Sequence, residues 1–314
     1  MEYAQLGRTG LRVSKLGFGC SPLGNEFGER DPLEAERAVH YAVDQGINYF
    51  DVAPYYGRTL AETRLGAALV GRRENVILAT KCGRYDVASF DFSPARIRLS
   101  LEESLRRLRT DYLDVFLAHD IEFVDVQQII DEAVPTLRAL QREGKARAIG
   151  ITGLQLTAMR RVAESSAVDT ILSYCRYNLL IDDMDALLTP FCESHGIGLI
   201  NASPLHMGML TEQGPPAWHP APAEVKQAAR AIVDQCRSRG VAASDVALQF
   251  CLRHPYVATT LAGMATVDQV RQNIRAAESQ PDPALLKEIR TLVATEYNKT
   301  WPSGRAENQD YVQN

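Results

Sequence analysis

The chain has 314 residues, 46% of them hydrophobic, enough apolar material for one large core or two ordinary ones. Its formal net charge of -5, from 34 basic and 39 acidic residues, comes without a basic stripe or polybasic run. That excludes nucleic acid and anionic lipid surfaces as partners and favours a small uncharged or anionic ligand.

No stretch approaches the ~18 apolar residues of a membrane span, and no apolar run follows the first charges. Six cysteines are scattered without CxxC spacing, so neither a disulfide framework nor a zinc knuckle is expected. The expectation is a cytoplasmic protein with reduced, buried thiols.

The opening segment AQLGRTGLRVSKLG, with Gly7 and Gly10 around Arg8 and Thr9, reads as a short hairpin able to plug a barrel floor. Short apolar runs rich in β-branched residues then alternate with stretches of helical period. The predicted strands are KLGFGC (15–20), INYFD (47–51), NVILAT (75–80), YLDVFLA (112–118), ARAIGIT (146–152), DTILSYC (169–175), GLINAS (198–203) and VATTLAG (257–263). Asp31 before Pro32 predicts a capped helix start, and Gly46, Gly144, Gly196 and Gly240 each follow a helical stretch where a left-handed C-cap is needed. Strict alternation with short links predicts a parallel sheet, and eight units predict closure into a single (β/α)8 barrel over 1–314, with extra C-terminal helices. A doubly wound dinucleotide fold would need G-x-G-x-x-G after its first strand, where this chain reads GFGCSPLG. Residues 203–222 form a long Pro- and Gly-rich loop after the seventh strand, a length that usually signals function.

Barrel active sites lie at the carboxyl ends of the strands. There Asp51 ends the second strand, Tyr56 follows in DVAPYYG, Lys81 ends the third in ATKCG, and His119 ends the fourth in LAHD. Singly, each has a plainer reading: a helix cap, loop packing, a solvated ammonium, a core histidine. Together they make an acid-base constellation that packing does not require. Next to them stand Tyr55, Asp120 and Glu122, and the long loop carries Trp218 and His219. The carboxylates are candidates for accepting sugar hydroxyls and Trp218 for covering a sugar face, whereas solvated loop charge explains Glu122 equally well.

The arrangement Asp51, Tyr56, Lys81, His119 resembles the tetrad of the aldo-keto reductase family, and the likeness extends from LGRTGLRVSKLGFG through GINYFDVAPYYG and EGKARAIGIT to VDQVRQNIRAA. The segments TKCGRYD, FDFS, HDIEF, GITGL, ILSYC and LTEQGPPAWHPA resemble members that oxidise a free sugar to its lactone. The resemblance implies NAD(P)-dependent oxidation of an aldose of L-galactose or L-fucose type at C1. In it Tyr56 is the general acid/base with its pKa lowered by Lys81, Asp51 holds Lys81, and His119 orients the reacting oxygen.

It also implies that Thr152, Gly153 and Tyr174 meet the nicotinamide, that Ser203, Leu205 and Gly208 in the long loop contact the cofactor, and that Gly263, Gln269 and Asn273 lie around its adenosine end. Gly263, Met264 and Gln269 stand where NADP-specific members carry a lysine, a serine and an arginine as a clamp on the 2′-phosphate, and Arg271 is about 200° round the helix from that place. NAD is therefore expected over NADP. Alternatives are an NADP-dependent general aldehyde or ketone reductase and a non-catalytic barrel subunit. A metal-dependent hydrolase is disfavoured, because only Asp51 and His119 qualify as ligands and Lys81 repels a divalent ion. No metal is expected.

Overall fold

The computed structural model of the chain describes residues 1–310; the last four positions of the expected domain, 311–314, lie outside the described residues. The opening segment forms an antiparallel pair, β1 (Tyr3–Gln5) and β2 (Arg12–Ser14), with Tyr3 opposite Ser14. Its turn lies so close to the barrel that a Cβ on Gly7, at φ +52°, would stand 2.3 Å from the Gly198 nitrogen. The Arg8 N–H donates to the Gly196 carbonyl, and Leu6, Leu11 and Val13 are buried together with Tyr49, Val115 and Ala148. The hairpin is thus the expected stopper at the amino end of the strands.

Eight parallel strands follow: β3 (Leu16–Gly19), β4 (Tyr49–Asp51), β5 (Ile77–Cys82), β6 (Leu113–Ala118), β7 (Ala146–Gly153), β8 (Thr170–Tyr174), β9 (Gly198–Ala202) and β10 (Thr259–Gly263). They pair in chain order and β10 closes the ring onto β3, with Leu261 opposite Gly17. Every strand faces side chains inward and helices outward, so both faces are apolar and the runs carry little polar alternation. Each expected strand appears, several of them trimmed by one or two residues.

The helix starts follow the sequence signals. Asp31 accepts from the Leu33 N–H at the head of Pro32–Asp44, and Ser93 does the same for the Arg96 N–H at the head of Pro94–Leu108. Gly46, Gly144, Gly196 and Gly240 all have positive φ, as their C-cap positions demand. Two helices, Ala223–Ser238 and Ala243–Leu252, separate β9 from β10. Two more, Val267–Glu278 and Pro283–Leu292, follow the barrel. Among the described residues, no helix is long and apolar enough to cross a membrane.

The segment after Leu292 was not anticipated. It returns over the mouth of the barrel and is fixed there by buried groups: Trp301 is 5% exposed, Asn308 donates from Nδ2 to the carbonyls of Glu122 and Val124, and Asp310 pairs with the fully buried Arg176 at 2.8 Å.

Candidate active site

Asp51, Tyr56, Lys81 and His119 come from four neighbouring places on the rim and meet. Asp51 is the last residue of β4, and Lys81 lies one strand over in β5. The Lys81 Nζ donates to Asp51 Oδ1 at 2.5 Å, to the Val52 carbonyl at 2.9 Å and to the Tyr56 hydroxyl at 3.3 Å. Tyr56 sits on a loop, and the loop is held by its backbone: Gly57 at φ +59° presses on Gly24 so closely that a Cβ there would lie 2.3 Å from the Gly24 oxygen. Two glycines thereby lock the loops after β3 and β4 together and fix the phenol. His119 follows β6, its N–H bonded to the Cys82 carbonyl, and its ring stands edge-on to Tyr56 with centroids 5.8 Å apart.

Burial sets the protonation states. It pushes the Tyr56 hydroxyl up to about 12, although Lys81 pulls the other way. Lys81 does lower this pKa, as expected, but desolvation of the phenolate outweighs the ammonium and the net shift is upward. Burial also works against the Lys81 charge, but Asp51 and Tyr56 more than offset it and hold its pKa above the ordinary lysine value. Burial raises the Asp51 carboxyl, with Lys81 opposing. It lowers the His119 imidazole to about 3, so this ring is neutral.

Beside the four lies a pair that sequence reasoning saw only in half. Asp120, at φ +52°, turns its carboxylate to within 3.7 Å of His119 Nε2 and takes an ion-paired hydrogen bond from Arg84. Burial opposes the Asp120 charge, but the Arg84 guanidinium beside it holds the carboxyl below its ordinary range. Arg84 comes from TKCGRYD, three residues past Lys81, where a cation just after a strand end was the available signal. Its guanidinium lies 4.0 Å over the Tyr55 ring.

The other expected substrate groups are more dispersed. Trp218 is 53% exposed at the rim, against Phe27 from the loop after β3, with ring centroids 5.8 Å apart. Glu122 is neither a solvated charge nor open to the mouth. It is wholly buried, its Oε1 accepts from the Leu154 N–H, and the returning tail covers it through Ser303, Gly304 and Arg305. Burial lifts its pKa to about 8. The tail, invisible as an element in the sequence, is what closes this carboxyl off. His219 likewise packs inward, its ring bonded to the His206 carbonyl and the Ala221 N–H, and so anchors the long loop instead of facing a ligand.

Of the positions expected around a cofactor, Thr152 lines the mouth and accepts the Asp120 N–H at its hydroxyl. Gly153 has no room for a side chain, because a Cβ would stand 2.6 Å from Glu122 Oε2. Tyr174 ends β8. Ser203, His206, Met207 and Gly208 all have positive φ in a tight turn that includes Leu205. Gly263 ends β10 against Pro22. Gln269 is turned back on its own helix: it completes a capping box with Thr266, and its Oε1 accepts from the Ala265 N–H at 2.8 Å. Asn273 is partly exposed on the same helix. Glu34, which sequence reasoning missed, takes the Val267 N–H at 2.9 Å.

A family model for the aldo/keto reductases matches residues 15–294, and the chain belongs to the aldo/keto reductase family. It is accordingly an oxidoreductase, of a family that works with a nicotinamide cofactor. It is similar to L-galactose dehydrogenase from Arabidopsis thaliana, with 46% identity covering 98% of this chain and 99% of the relative. D-threo-aldose 1-dehydrogenase from a Pseudomonas species is 29% identical over 89% of this chain and 94% of its own length. Among solved structures, an aldo-keto reductase from Bacillus halodurans in its holo form superposes with a TM-score of 0.79 and 30% identity, covering 99% of this chain and 100% of that one.

Proposed function

We propose that the protein is an NAD-dependent aldose 1-dehydrogenase that oxidises a neutral aldopyranose of L-galacto configuration, L-galactose or L-fucose, at C1 to its lactone. The observation that carries the substrate class is the charge state of the mouth. Lys81 is balanced by Asp51 and Arg84 by Asp120, His119 is neutral, and Tyr56 is protonated at neutral pH. Such a site offers many hydrogen bonds and no net charge, which suits a polyol and offers a carboxylate or phosphate no excess cation. The names of two relatives, L-galactose dehydrogenase and D-threo-aldose 1-dehydrogenase, point the same way.

A bound nicotinamide dinucleotide supplies the hydride acceptor for C1. The chain's residues fit it: the tight turn from Ser203 to Gly208, with Ser203, His206, Met207 and Gly208 at positive φ, brings backbone close enough to cradle a pyrophosphate, with Thr152, Gly153 and Tyr174 toward the nicotinamide and Gly263 and Asn273 toward the adenosine. At the far end Glu34 and Gln269 occupy the start of the helix Val267–Glu278 with acceptor oxygens, which suits a ribose hydroxyl and repels a 2′-phosphate.

The protein's own work is on the proton. His119 holds the C1 oxygen through its neutral ring, and the nearby Asp120 carboxylate favours the tautomer with hydrogen on Nε2. In the oxidising direction the Tyr56 phenolate, steadied by Lys81, takes the C1 hydroxyl proton and becomes the neutral phenol, and Asp51 keeps Lys81 in reach. Tyr55 and Trp218 supply apolar faces for the ring. The test is NAD reduction over a panel of free L- and D-aldoses. L-galactose and L-fucose should lead. Equal or better efficiency with D-galactose overturns the assigned configuration.

A further inference from the structure

We propose that Arg84 and Asp120 act together as the element that reads the configuration of the sugar, a neutral donor-acceptor clamp on two adjacent ring hydroxyls; this rests on the aldose dehydrogenase reading above. Asp120 Oδ2 lies 3.7 Å from His119 Nε2 and is the oxygen that Arg84 Nη1 holds. One carboxylate oxygen therefore separates the group that grips the C1 oxygen from the guanidinium. A pyranose with its C1 oxygen on Tyr56 and His119 brings its neighbouring hydroxyls to this pair.

The clamp is built in advance. Arg84 is 14% exposed and Asp120 3%. The guanidinium lies 4.0 Å from the Tyr55 ring centroid, 5.2 Å from that of Phe123 and 5.5 Å from that of Phe90, and Phe90 and Phe123 stack on each other at 4.6 Å. Three aromatic faces hold a planar cation with its rotamer already restricted, so a ligand need not bear that ordering cost. Among the described residues only Asp120 takes a hydrogen bond from this guanidinium, and its buried Nε has no partner. Donor capacity is left over.

A vicinal diol matches what remains. One hydroxyl donates to the carboxylate, and the oxygen of the next accepts from the guanidinium, so both charges stay paired when the sugar enters. Inverting either carbon turns one hydroxyl away and leaves a buried charge short of a partner. Sites built to bond a given hydroxyl penalise its loss far more than an apolar pocket does.

The test measures kcat and KM for L-galactose and for its epimers at C2, C3 and C4 with NAD in excess, in wild type, Arg84→Lys and the neutral double variant Arg84→Gln/Asp120→Asn. Thermal unfolding and NADH binding by fluorescence confirm the fold. Arg84→Lys keeps the charge and loses the planar fork, so its folding is secure where the double variant's is not. The expected result is a KM for L-galactose raised about 10-fold or more, with the preference over at least one epimer reduced by about 10-fold. A variant that slows all sugars equally through kcat, with the epimer ratio intact, overturns the clamp and makes the pair a positioning device for His119. An unchanged enzyme overturns it as well. If wild type oxidises no free aldose, the dehydrogenase reading fails first and the clamp with it.

Discussion

Glu34 and Val267, 233 positions apart, are joined by a 2.9 Å hydrogen bond from the Val267 N–H to the Glu34 carboxylate. The bond draws the Glu34 pKa below its ordinary value, with Arg37 adding to the effect. The start of the last barrel helix is thus held by an anion of the protein's own. Wild type should bind NAD more tightly than NADP. The variant Glu34→Gln/Gly263→Lys/Gln269→Arg should narrow the gap by about 10-fold, a charge-assisted contact being worth ~1.5 to 3 kcal/mol. Gain will be limited by Pro22, whose Cγ lies 3.1 Å from a Cβ at position 263, and by loss of the capping box. Dissociation constants for both cofactors measure this, and equal wild-type efficiency with NAD and NADP would reject the preference.

Tyr56→Phe removes the hydroxyl that Lys81 contacts while leaving its contacts to Asp51 and Val52. Turnover should fall by ~100-fold or more with NADH binding retained. Activity within a few-fold of wild type would show that the proton leaves by another route.

The Tyr56 phenol, pushed up to about 12, is protonated at neutral pH, and oxidation requires it to accept a proton. Aldose oxidation should therefore speed up as pH rises into the alkaline range, whereas reduction should favour lower pH. Lys81→Met deprives the phenolate of its cation and should depress the alkaline rate most. Initial rates in both directions between pH 6 and 10 decide it; a rate of oxidation that is flat across that range refutes the assignment.

Glu122, with its pKa lifted to about 8 by burial, makes the fold sensitive to pH. Its folded-state value exceeds the ~4.3 of an exposed glutamate. The stability this gives is complete below pH ~4.3 and is lost as pH rises through about 8, because the unfolded chain ionises first. Glu122→Gln, which retains an acceptor for the Leu154 N–H, should unfold at a higher temperature than wild type at pH 8.5 and at the same temperature near pH 5. A parallel offset at both values would point to packing instead of ionisation.

Asp310 pairs with Arg176 and caps the backbone N–H groups of Leu156 and Thr157. Asp310→Ala should cost about 1–3 kcal/mol, since Arg176 is fully buried and, among the described residues, retains only Asp183 as a carboxylate partner. The urea midpoint measures the loss. No shift would mean that the other contacts of the tail, those of Trp301, Ser303, Arg305 and Asn308, suffice to hold it.

The eight strands, the capped helices and the rim positions of Asp51, Tyr56, Lys81 and His119 were legible in the sequence because each depends on local signals: hydrophobic period, cap residues, and the rule that strand ends face the mouth. The gaps at Gly263 and Gln269 were legible as missing cations. What the tertiary structure decided are the partners. Arg84 meets Asp120 across two loops, Glu34 meets Val267 across the closure of the barrel, and the tail seals Glu122 from the opposite end of the chain. These contacts join segments far apart in the chain, so no period or motif encodes them. The ionisation of Tyr56 and Glu122 follows from the same source, for a pKa depends on the neighbours and burial that only the closed barrel provides.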